Sequence, residues 1–334
     1  MELIKTLTII MMTSFSINAQ QKSISKLISE NPKFDELIDV DAKVEILADG
    51  FTWAEGPVWD KERACLLFSD VPENTIYKFK AGEGLSVFLN PSGYTGKHPY
   101  SLEPGSNGLI INNDGELVAC EHGDRRVTRM PMNGGGGKFP VSDNWEGKRF
   151  NSPNDLVQAA NGTYYFTDPP YGLPNREKAT TREIDLFGVY KVDVSGKTEL
   201  AIANLSRPNG VALSPDEKTL YVAQSDPEKA YILSYEIKQD GSLGKENLLY
   251  DATPMVKAGY KGLPDGLKTD KNGNIFTTGP GGILVLSPKG ELLGRIEIDA
   301  ATANCAWGDD GSVLYITADM YLGKIQTKTI GKGF

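Results

Sequence analysis

Six residues could together hold a hard cation: Glu55, Asn107, Asn154, Asn209, Asp265 and Asn304. Each carries a side-chain oxygen, none is Lys or Arg, and each stands at the head of a short apolar stretch, as in "NGVALSPDEKTLYVAQSD" from Asn209. Mixed carboxylate and amide oxygens, with no His or Cys among them, suit Ca²⁺ better than Mg²⁺, because Ca²⁺ accepts many oxygens in flexible geometry. The same set disfavours zinc. A lone Asn-Gly pair is ordinarily only a turn, since Asn bonds nearby backbone groups. Six aligned examples ask for a fold that would bring them together.

The segments that carry them are versions of one unit. They begin "EGPVWDKERACLLFSD" at Glu55, "NGLIINNDGELVACEHGD" at Asn107, "NDLVQAANGTYYFTD" at Asn154, then at Asn209, "DGLKTDKNGNIFTTG" at Asp265 and "NCAWGDDGSVLYIT" at Asn304. Each has a polar residue, an apolar strand, a turn rich in Asp, Asn or Gly, and a strand rich in β-branched and aromatic residues. Successive starts lie roughly 40–55 residues apart, which is too long for one hairpin and suits a four-stranded propeller blade. The fold class is therefore all-β: a six-bladed β-propeller. The last unit supplies only three strands, and "AKVEILADG", Ala42 to Gly50, is an alternating strand left over at the other end. It is predicted to join the last blade and close the ring. In a propeller the innermost strands surround a channel, so the six residues would ring one end of it.

The propeller is assigned to residues 42–334, behind an extension at 20–41 with helical periodicity from Ser23 to Val40. Lys5 followed by the apolar run Leu7 to Ile17 and by Asn18-Ala19 reads as a secretory signal over residues 1–19, predicting an exported protein, periplasmic or secreted. No other apolar segment approaches the roughly 18 residues of a membrane helix. The net charge of -9, with no basic stripe, argues against a nucleic-acid partner. The cysteines Cys65, Cys120 and Cys305 are odd in number and sit in apolar runs, so buried free thiols are expected.

"AEGPVWD", "NSPNDLV", "FTDPPYG", "RPNGVALSPDEKTLYVA", "LPDGLKTDKNGNIF" and "NCAWGDDGSVLYIT" together resemble the gluconolactonase, regucalcin (senescence marker protein) and luciferin-regenerating-enzyme-like family of six-bladed propellers. The resemblance runs from about Val44 to Ile325. It implies a catalytic divalent metal, usually calcium, whose ligands would match Glu55, Asn154, Asn209 and Asp265, with Asn107 and Asn304 offered to the pocket. It also implies a small-molecule partner, a sugar lactone such as gluconolactone hydrolysed to its acid.

Proton transfer in such a reaction has three candidates: Asp265, Asp155 and His122, the last in "CEHGDRR". Arg149 and Arg207, each just upstream of a ring residue, could bond sugar hydroxyls or could form ion pairs. Tyr171 in "TDPPYG" could line the pocket, and the polar segment Leu173 to Leu186 reads as a lid or an exposed insertion. Two other readings stay open: phosphotriester hydrolysis on the same architecture, which fold alone does not separate from lactone hydrolysis, and a non-catalytic binding propeller pinned by its metal.

Overall fold

The computed structural model describes residues 25–134 and 136–334. The expected secretory signal lies outside the described residues. Among these, the strands form six antiparallel sheets set round a channel, each sheet running from an innermost to an outermost strand. The innermost strands are Ala54–Asp60, Ser106–Ile111, Leu156–Gln158, Pro208–Leu213, Leu267–Thr269 and Thr302–Gly308.

Position in the blade explains composition. The second strands, such as Cys65–Asp70 and Val313–Ala318, are buried along their whole length and read as nearly continuous apolar runs. An outer strand such as Gly84–Leu89 has solvent on one side, and Val87 on it is exposed. The turn between first and second strands repeats one device, an Asn or Asp side chain that accepts from backbone N–H groups two and four residues on. Asn112 takes Asp114 and Glu116 this way, and Asp270 takes Asn272 and Asn274. This is the Asp- and Asn-rich turn of the repeat.

The ring closes as the sequence predicts. Strand Glu45–Asp49 pairs antiparallel with Tyr321–Gln326, Glu45 opposite Lys324 and Asp49 opposite Tyr321, and becomes the outermost strand of the last blade. Closure between the two ends of the chain leaves no open edge inside the ring.

The extension departs from expectation. Ser25–Ser29 is a strand, added as a fifth to the fifth blade by pairing with Leu292–Ile298, and only Pro32–Leu37 is helical. Asn31 caps that helix by accepting from Lys33 N–H, with Pro32 at its first turn. Phe34 and Ile38 are buried among apolar residues of the fifth and sixth blades. The segment is thus part of the propeller's packing. No helix of the described residues is long and apolar enough to cross a membrane.

Candidate active site

Glu55, Asn107 and Asn209 are the second residues of their innermost strands, Asn304 is the third of its own, and Asn154 and Asp265 come two residues ahead of theirs. The blades meet very closely here. A Cβ added at Gly56 would lie 1.9 Å from the Asn107 carbonyl oxygen, at Gly210 2.1 Å from that of Asp265, and at Gly266 2.0 Å from the Asn304 side chain. The glycine that follows Glu55, Asn209 and Asp265 is therefore a packing requirement. Neighbouring blades are also stitched by hydroxyls: Ser69 Oγ donates to the Asn107 carbonyl at 2.9 Å and Thr167 Oγ1 to the Asn209 carbonyl at 2.6 Å.

Five of the six ring residues, Glu55, Asn107, Asn154, Asn209 and Asp265, line one cavity of about 450 Å³ at the channel mouth. Second partners decide which way their amides face. Asn209 Nδ2 donates to Ser225 Oγ at 2.9 Å, and that hydroxyl donates onward to the Pro264 carbonyl. Asn154 Nδ2 faces His122 Nε2 at 3.4 Å, while His122 Nδ1 lies 3.1 Å from the Glu103 carbonyl oxygen. A carbonyl only accepts, so Nδ1 carries the ring proton and Nε2 is left to accept. With its nitrogen engaged, each amide presents its oxygen elsewhere. Oδ1 of Asn107 and of Asn209 has no hydrogen-bond partner among the described residues, although both are buried.

The electrostatics point the same way. Burial, reinforced by Asp155 nearby, pushes the Glu55 carboxyl up; burial and then the charges of Glu55 and Asp155 push Asp265 well up. Burial also raises Glu103, which lines the same cavity. Carboxylates crowded at one mouth, with unpartnered amide oxygens between them, form a site that a hard cation would relieve. Two carboxylates and two neutral amides also match the charge of a divalent ion. Among the described residues no three His, Cys, Asp or Glu side chains gather to hold a metal by themselves, so a cation at this mouth would depend on the amide oxygens as well as on the carboxylates.

Other expected residues lie elsewhere. Asn304 sits one layer back: its Oδ1 accepts from Cys305 N–H at 2.9 Å and from Lys268 Nζ at 3.4 Å. With that oxygen engaged, Asn304 is not among the residues that line the cavity. Asp155 is buried and outside the lining, with Oδ1 bonded to Leu156 N–H at 2.8 Å. His122 is fully enclosed with both nitrogens engaged, and burial pushes it down to about 4, so it stays neutral and orients Asn154. These placements argue against Asp155 and His122 as proton carriers. Arg149 donates to the Asp124 carbonyl at 3.1 Å, and Arg207 pairs with Glu177 at 2.7 Å; neither is among the residues that line the cavity, which leaves the ion-pair alternative for Arg207. Tyr171 does line the cavity, and burial holds its phenol protonated.

The structure adds residues that the sequence did not single out. Trp53 lines the cavity beside Glu55, and Glu103 and Arg176 form a 2.8 Å ion pair at the rim. Arg176 belongs to the segment expected as a lid or exposed insertion. That segment is pinned by buried Leu173 and Ile184 and by Arg125, which donates to the Thr181 carbonyl at 3.0 Å. Three hydrophobic or charged anchors spread over one polar stretch leave little periodic signal.

Residues 53–319 match the family described as SMP-30/Gluconolactonase/LRE-like region. The chain belongs to this family. Among relatives in the SMP-30/gluconolactonase group, a protein named gluconolactonase from Zymomonas mobilis is 40% identical over 320 residues, 94% of this chain and 89% of that one. Lactonase drp35 of Staphylococcus aureus is 27% identical over 318 residues, covering 91% of this chain and 85% of its own. Among solved structures, a gluconolactonase from Xanthomonas campestris superposes with a TM-score of 0.79 at 28% identity, over 90% of this chain and 94% of that one. Regucalcin from Agrobacterium tumefaciens, a calcium-binding protein, superposes at 0.66 with 18% identity over 86% of this chain and 94% of its own, a likeness of fold.

Proposed function

We propose that this protein is a hydrolase acting on the ester bond of lactones, with a sugar lactone of the gluconolactone class as substrate, and that Glu55, Asn154, Asn209 and Asp265 hold a divalent cation, Ca²⁺ by the chemistry of the donors. The observation that carries the reading is the convergence of two carboxylates and oriented amide oxygens on one cavity. The 40% identity to a gluconolactonase over nearly the whole chain supports the substrate class.

In lactone hydrolysis, water adds to the carbonyl carbon, the ring C–O bond breaks, and the former ring oxygen takes up a proton to give the open hydroxy acid, which ionises at neutral pH. A bound divalent cation supplies electrophilic assistance to the carbonyl and compensates charge. The chain's own residues hold the rest. Asn107 lines the cavity and its Oδ1 has no hydrogen-bond partner among the described residues, an acceptor that a substrate hydroxyl would satisfy. The protonated Tyr171 phenol offers a donor, and Asp265 is the cavity carboxylate placed to take a proton from water. Gly56 N–H, which donates to Glu55 Oε2 at 2.9 Å, holds that carboxylate in place.

The test follows proton release on glucono-1,5-lactone with protein as purified, after chelation, and after Ca²⁺ is restored, alongside Asp265→Ala. Loss on chelation, recovery with Ca²⁺ and an inactive variant support the whole reading. Turnover that survives chelation overturns the cation, and Ca²⁺ binding without turnover of any lactone overturns the reaction.

A further inference from the structure

A second cavity, of about 750 Å³, lies beside the first. The two share Tyr171 and Arg176 as lining, so they form one cleft with a waist. We propose that the outer groove is an extension subsite that takes a second sugar ring, so that the lactones this protein handles best are glycosylated aldonolactones; the assignment rests on the lactonase reading above.

The groove's walls differ in character. One, from residues 99–102, presents the apolar surface of Pro99, Tyr100 and Leu102, with Leu102 84% exposed. The facing wall is the turn that carries Arg176 and Lys178. A pyranose ring is amphipathic in the same sense, with C–H faces and a hydroxyl edge, and such a groove meets both.

The waist is built, not incidental. Asn175 and Arg176 both have positive φ, 62° and 50°, a conformation costly for side-chain-bearing residues and repeated here at two consecutive positions. It sets Arg176 in a 2.8 Å pair with Glu103 from the opposite loop and over the Tyr171 ring, 5.9 Å from its centroid. A one-ring lactone fits inside the waist; a two-ring lactone would cross it, its linkage beside Arg176.

The experiment compares kcat/KM for glucono-1,5-lactone and for cellobiono-1,5-lactone, and titrates gluconate and cellobionate calorimetrically. It uses the full chain and the variants Leu102→Asp and Lys178→Ala, both at exposed positions outside the catalytic cavity. The expected result is a drop of about tenfold for the two-ring lactone in each variant with the one-ring lactone unchanged, and tighter binding of cellobionate than gluconate in the parent. Equal effects on both lactones, or equal binding of both acids, would overturn the subsite. An advantage for an alkyl-substituted lactone in place of the glycosylated one would overturn its sugar chemistry. If no lactone is hydrolysed, the hydrolytic reading falls alone, because the two acids still report on the groove: selective binding of cellobionate lost in Leu102→Asp supports it, and none overturns it.

Discussion

Asn209 and Asn154 owe their usefulness to the groups that turn their amides, Ser225 and His122. Partners that orient ligands are commonly worth about 10–100-fold in metal affinity, and Ser225→Ala is expected to weaken Ca²⁺ binding by that order, measured by calorimetry. Asn209→Ala removes the oxygen proposed to bind the cation and should lower lactone hydrolysis by at least about a hundredfold, measured by proton release. Unchanged Ca²⁺ affinity in both variants would remove Asn209 from the cation site. The cysteines give a prediction of another kind. All three are free and buried, and burial pushes the Cys305 thiol up to about 12 and Cys120 well up. Because the thiolate is the reactive form, native protein should resist a thiol reagent at pH 8 and expose three equivalents on unfolding; fast native labelling would contradict the packing.

At the scale of elements, the close approach of innermost strands explains the repeat's second position. Gly210→Ala places a methyl 2.1 Å from the Asp265 carbonyl oxygen, a backbone atom that cannot swing aside. The blades must then part at the mouth, at a cost of about 1–3 kcal/mol typical of overpacking. A urea midpoint shift together with weakened Ca²⁺ binding is the expected outcome, and a variant of parental stability would show that the blades have slack. The same reasoning accounts for the two units that lack glycine. Asn154 and Asn304 are followed by Asp155 and Cys305, whose side chains are themselves buried in the packing behind the ring.

For the whole molecule, a cation that binds carboxylates and amides drawn from four blades ties the ring together in the folded state only. Ligand at about 100 times its Kd should stabilise the fold by about 2.7 kcal/mol, so the melting temperature is expected to rise with Ca²⁺ concentration and fall with chelator. A melting temperature indifferent to Ca²⁺ would mean that the donors do not act as one site.

Blade number, the set of Glu55, Asn107, Asn154, Asn209 and Asp265 at one channel mouth, and the closing strand within Ala42 to Gly50 were all legible in the chain, because strand alternation and turn chemistry recur from unit to unit along it. The short extension was misread, since Ser25–Ser29 becomes a strand only by finding the free edge of Leu292–Ile298, far away in sequence. The site divided along the same line. Which residues could offer oxygens depended on their type and spacing. Which oxygens face the cavity, and why Asn304, Asp155, His122, Arg149 and Arg207 do not line it while Glu103 and Arg176 do, depended on hydrogen bonds and ion pairs between segments that share no periodicity. A repeat fixes where a backbone goes; the direction of an amide or a guanidinium is set by whichever partner the folded chain brings beside it.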